Sequence, residues 1–164
     1  MNFEAFQDHL NQLVGMVAWG VVAGAGTGAM VSLQFGEKYL RAKPVKNPTL
    51  DPIIREYEGK WSLFIRDAAW RLDSAEKVLC SSRSNNQAGA EMLQGLHQIT
   101  NALVSDVKLS KPGVDLLLTF SNGLELTVFC DCMNEDEGDN YWVFAPSFIF
   151  TVKPKGELAV ENSR

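Results

Sequence analysis

Residues 13–35 read LVGMVAWGVVAGAGTGAMVSLQF, and the fold turns on how this run is taken. No charged residue occurs from Leu13 to Gln34. About 20 apolar residues suffice to cross a bilayer. Gly20, Gly24 and Gly28 recur every fourth residue, as on a close-packed membrane helix. Lys38, Arg41, Lys43 and Lys46 follow, as on a cytoplasmic side. Against this stand five glycines between Gly15 and Gly28, each costing about 1 kcal/mol in a helix relative to alanine. Val17, Trp19 and Val21 alternate, as do Val31, Leu33 and Phe35. Period two marks strands with one buried face. The run is therefore expected to form a strand pair in a water-soluble, cytoplasmic protein, turning at Gly24–Gly28, with no membrane partner.

The rest of the chain agrees with an α+β fold, mainly antiparallel sheet with an N-terminal and a mid-chain helix. At 164 residues it is about one domain long, so residues 1–164 are expected to form one unit. Its 46% apolar and 21% charged content suits a packed core. Phe3, Phe6, Leu10 and Leu13 give the first helix its apolar stripe, and Ala88–His97 carries mixed helical signals. Lys38–Asp51, with Pro44 and Pro48, reads as a long exposed loop. Trp61–Leu72 reads as one bent strand and Lys77–Ser81 as a short one. Leu116, Leu118 and Phe120, the turn Ser121-Asn122-Gly123, then Leu124, Leu126, Val128 and Cys130 spell a hairpin. Tyr141–Phe144 and Phe148–Val152 are further strands, and Glu157–Arg164 is expected to fray. Half-repeats at 1–83 and 84–164 are suggested by matching Leu13-Val-Gly15-Met to Leu93-Gln-Gly95-Leu, and Trp61 to Trp142.

Charge narrows the partners. The net charge of −5 argues against nucleic acid, which demands clustered lysine and arginine. Residues 115–164 carry nine acids and three bases, whereas 36–83 carry seven acids and ten bases. That asymmetry has two readings, a surface that steers a cationic partner to the second half and a solvated surface with no partner. Three cysteines cannot build a disulfide framework. Cys130 and Cys132 would share one side of a strand, but Cys80, His9 and His97 supply no zinc spacing, so buried thiols without metal are expected. Gly24-Ala-Gly26-Thr-Gly28 lacks the spacing of a dinucleotide loop and precedes a strand. The acidic loop from Asp131 to Asn140 lacks the ligand order of a calcium loop. No nucleophile–base motif is present, so neither catalysis nor a cofactor is expected. Aromatic anchors beside charge suit binding hot spots. Asp131, Glu135, Asp136, Glu137, Asp139, Tyr141 and Trp142 are therefore the candidate partner-binding residues.

Leu33-Gln-Phe35-Gly36, Ala69-Trp70-Arg71-Leu72 within Trp61–Leu72, Asp115–Phe120, Asn122-Gly123 and Tyr141-Trp142 together resemble small uncharacterised bacterial proteins, some of the toxin–immunity type. The resemblance covers about half the chain. It implies a compact, mainly β, cytoplasmic protein that neutralises a cognate toxin by occlusion. It brings no catalytic residue. The alternative is a domain that binds a small ligand or ion between sheet and helix.

Overall fold

The uncharged run forms two antiparallel strands, β1 (Ala18–Val22) and β2 (Val31–Leu40), joined by the glycine turn. No helix among the described residues, 1–163 of this computed structural model, is long and apolar enough to cross a membrane. Period two is followed closely in β2, where Val31, Leu33 and Phe35 point into the core. Helix α1 (Phe3–Leu10) precedes them, capped by the Asn2 side chain, which accepts from the Ala5 N–H at 2.8 Å. A 3-10 turn, Asn11–Leu13, ends it.

The hairpin after β2 departs from expectation. Residues 38–40 remain in the strand and pair with β3 (Tyr57–Ile65) out to Leu40–Tyr57. Beyond them Arg41 N–H donates to the Glu56 carbonyl and Val45 N–H to that of Arg55. Helix α2 (Pro52–Glu56) closes the arm, with Asp51 accepting from Ile53 N–H. The predicted loop is thus a paired arm with an irregular tip. A register shift lies between Phe35 and Lys38, where Gly59 approaches the Phe35 backbone. A β-carbon at Gly59 would lie 2.8 Å from the Phe35 nitrogen, so only glycine fits.

Trp61–Leu72 is not one bent strand. β3 ends at Ile65, and β4 (Ala69–Asp73) belongs to the other sheet. β5 (Val78–Ser81), helix α3 (Glu91–Leu96) and a 3-10 turn at His97–Ile99 follow. Then come β6 (Val104–Ser110), β7 (Asp115–Phe120), β8 (Glu125–Phe129), β9 (Tyr141–Phe144), β10 (Phe148–Val152) and β11 (Leu158–Asn162). The C-terminal stretch expected to fray therefore forms a strand, with Arg164 outside the described residues. The α+β class holds: the order is β1-β2-β3-β9-β10-β11 in one sheet and β5-β4-β8-β7-β6 in the other, antiparallel throughout.

Each stretch of chain completes the other's sheet. The first stretch builds β1-β2-β3 and sends β4 and β5 across; the second builds β6-β7-β8 and sends β9 to β11 back. The two meet at an isolated bridge between Val17 and Leu103. Around it Gly15 N–H donates to the Val104 carbonyl and Asn101 N–H to that of Ala18; Ala18 N–H donates to Ala102 and Val104 N–H to Met16. This pattern is two-fold. It places Gly15 opposite Asn101 in role, not Gly95 as the sequence match suggested. Asn101 adopts the same left-handed backbone, φ 71°, as Gly15 at 86°. Inner faces of both sheets share one core, containing Phe35, Trp61, Trp70, Phe120, Tyr141 and Phe150. Burying one such side chain stabilises by about 1.5–3 kcal/mol.

Candidate functional site

The outer faces of the two sheets differ. Across the five-stranded sheet stand Arg71, Thr127, Leu117 and Lys108 in one row, and Asp73, Glu125, Thr119 and Asp106 in the next. Four of their five charges are paired locally, Arg71 to Asp73 and Lys108 to Asp106, both at 2.9 Å, and Glu125 stands between them. Across the six-stranded sheet the rows are Ser32, Phe64, Trp142 and Thr151, then Gln34, Ser62, Phe144 and Ile149. Phe64 and Trp142 stack with centroids 5.4 Å apart at 12°, and the Arg66 guanidinium sits 5.6 Å from the Trp142 ring. Phe144 is 38% exposed. Aromatic surface in water stabilises nothing until covered, so this face stands out from its counterpart.

The arm gives the aromatic face a wall. A groove of about 620 Å³ has Gln34, Phe64, Phe144 and Ile149 among its lining, with Arg41 and Lys60 on the arm side. Gln34 is buried; its amide oxygen accepts from Gly59 N–H at 2.8 Å and its nitrogen donates to Ser32 Oγ at 3.4 Å. Arg41 is held by Glu58 at 3.1 Å and donates to the Tyr57 carbonyl. Neither the polar floor nor this wall was singled out in the sequence. The alternation of Ser32, Gln34, Ser62 and Phe64 with core residues is the signal that marks them.

At the other end lies the acidic loop, and its residues divide by role. Asp131 accepts from Ala69 N–H at 3.2 Å and so anchors the loop to β4. Glu137 accepts from the N–H groups of Met133 (2.8 Å) and Asn134 (3.2 Å), which hold its carboxyl below the usual range. Both are structural. Glu135 and Asp136 are exposed and have no ion-pair partner among the described residues; Asp139 is half-buried. With Lys153, Lys155 and Glu157 these three line a polar cleft of about 700 Å³. Tyr141 is not an anchor. It is 0% exposed and its hydroxyl donates to the Val114 carbonyl at 3.0 Å, because the period-two pattern of β9 turns Tyr141 inward and Trp142 outward.

The other candidates resolve simply. Cys130 and Cys132 lie beyond the end of β8, Cys132 buried and Cys130 donating from Sγ to the Val114 carbonyl at 3.3 Å. Burial pushes the Cys80 and Cys132 thiols up to about 11, and raises Cys130 further. Such thiols stay protonated and weakly nucleophilic near neutrality. Among the described residues no three His, Cys, Asp or Glu side chains gather as a metal site. The glycine turn directs two carbonyls, Gly24 and Gly28, to Asn86 Nδ2 and leads into a strand rather than a helix. His9 packs on Phe148 and Phe150 with centroids 5.7 and 5.2 Å away, whereas His97 is exposed. The chain matches no protein-family model, no curated protein and no solved structure.

Proposed function

We propose that this chain is a non-enzymatic binding protein that acts by covering a surface of a protein partner, in the manner of a cytoplasmic bacterial immunity protein blocking its toxin. The observation that carries this reading is the outer face of the six-stranded sheet. Trp142, Phe64 and Phe144 there form a half-exposed aromatic strip, with unpaired Glu135 and Asp136 at the adjoining loop. Aromatic side chains supply most of the energy at interface centres, and rim charges steer association. The excess of acid in residues 115–164 suits a cationic toxin surface.

The test is co-expression with a toxin domain encoded beside this gene. The wild-type chain should restore growth and co-purify. Trp142→Ala should weaken binding by about 2 kcal/mol, a hot-spot value. Glu135→Lys with Asp136→Lys should slow association and remove its salt dependence. If charge reversal and Trp142→Ala leave the interaction intact, the face is wrong. If no neighbouring product is bound, the immunity role is wrong.

A second reading rests on the groove. Its volume of about 620 Å³ lies within the range of small-molecule sites, and Gln34 offers a fixed amide at its floor. A bound small molecule retained in native mass spectrometry, and lost in Phe144→Ala, would favour it over occlusion.

A further inference from the structure

We infer that β11 is an interface between two copies of this chain, pairing antiparallel with its own counterpart so that two six-stranded sheets join edge to edge. Four strand edges exist, and three are blunted. β1 has a register shift between Trp19 and Val22, and its start is bonded to residues 101–104. β6 is shifted between Val104 and Asp106, and the Gln7 side chain of α1 substitutes for a neighbouring strand: Nε2 donates to the Val107 carbonyl at 2.9 Å and Oε1 accepts from Leu109 N–H at 2.8 Å. β5 is four residues long and is packed by α3. Natural sheets use such devices to prevent edge pairing.

β11 has none of them. Its ladder with β10 runs without a shift from Phe148–Asn162 to Val152–Leu158. It contains no proline and one charge, Glu161. Lys153 N–H donates to the Glu157 carbonyl and Ser163 N–H to that of Ser147. The bonding pairs therefore alternate through Ala159 and Glu161, and the N–H and C=O groups of Leu158, Val160 and Asn162 point away from β10. Among the described residues none of these outward groups has a backbone or side-chain partner.

The occupant follows from register. Centred on Val160, an antiparallel pair sets Val160 against Val160, Leu158 against Asn162, and Ala159 against Glu161. Outward donors then meet outward acceptors at every bonding position. Glu161 faces alanine rather than a second carboxylate, and Glu157 faces Ser163. Val160 is 37% exposed on the core side of the strand, and its counterpart would cover it. The strand is self-complementary in hydrogen bonding, charge and apolar surface, as a two-fold interface requires. A single strand pair is a small interface, so association is weak and depends on concentration. This interface is independent of the function proposed above.

Sedimentation equilibrium of the full chain from micromolar to several hundred micromolar tests it. The weight-average mass should rise from the 18.1 kDa chain toward twice that value. Val160→Pro removes one outward N–H without touching the β10 ladder, and Val160→Lys sets like charges together. Each should weaken association at least about tenfold. Should either variant misfold, hydrogen exchange on the wild type reads the same point: the Leu158, Val160 and Asn162 amides should gain protection as concentration rises. A chain that stays monomeric throughout, or a dimer whose Val160 amide exchanges freely, overturns the inference.

Discussion

Val17 and Leu103 form a lone antiparallel bridge at which the two stretches of the chain meet, flanked on each side by matching backbone hydrogen bonds. Neither stretch owns a complete sheet: β3 pairs with β9, and β4 pairs with β8. A chain divided in the polar segment at Asn85–Gln87 should therefore give fragments that do not fold separately. Mixed, they should recover dispersed amide resonances and one cooperative melt. Two fragments each with a native-like spectrum would show independent halves instead.

Gly95 is required by Cys80. A β-carbon at position 95 would meet the Cys80 sulfur and lie 2.9 Å from its Cβ, on the buried side of α3. Overpacking of this kind costs about 1–3 kcal/mol. Gly95→Ala should lower the melting temperature by about 2–4 °C for each kcal/mol lost. Adding Cys80→Ala should restore part of that loss. Additive destabilisation in the double variant would place the strain elsewhere.

Tyr141 and Trp142 are adjacent but should behave oppositely. Tyr141→Phe removes the hydrogen bond to the Val114 carbonyl deep in the core, costing about 1 kcal/mol of stability and leaving partner binding unchanged. Trp142→Ala loses its stacking on Phe64, also about 1 kcal/mol, but weakens partner binding. Urea melts and a binding titration on both variants separate the two roles.

Alkaline pH should destabilise the fold. Burial raises the Cys80 and Cys132 thiols to about 11, against roughly 8.5 in an unfolded chain. The native state thus holds these protons more tightly. Their contribution is complete below pH about 8.5 and is lost as pH rises through about 11. Buried Tyr141 acts in the same direction. Urea midpoints at pH 7, 9, 10 and 11 should fall progressively above pH 9, and thiol alkylation at pH 8 should be far slower in the native than in the unfolded protein. A flat midpoint across that range would contradict the burial of these groups.

Much of the fold was legible locally. The hairpin of β7 and β8 was marked by alternation and an Asn-Gly turn, and β9 and β10 were placed residue for residue. Three features were not. Lys38–Leu40 looked like loop because charges surround it, yet pairing with Tyr57–Gly59 holds it extended. Trp61–Leu72 looked continuous because both of its strands point apolar residues inward; only the core, which needs β4 beneath the other sheet, breaks it at Arg66–Ala68. The tail looked frayed because Ala159, Glu161 and Asn162 are weak strand formers, yet β10 offers a free edge. For the candidate site, the acidic loop was visible as composition, but the division between structural Asp131 and Glu137 and unpaired Glu135 and Asp136 was not.

Period and turn chemistry are properties of a few neighbouring residues, so the sequence alone determined that this chain is mainly antiparallel sheet and that side chains alternate along its strands. Which strand lies beside which depends on contacts between residues far apart, and those are set by how apolar faces cover one another in three dimensions. Only the tertiary structure therefore decided that the two stretches exchange strands, that Tyr141 is core while Trp142 faces water, and that β11 is left with an open edge.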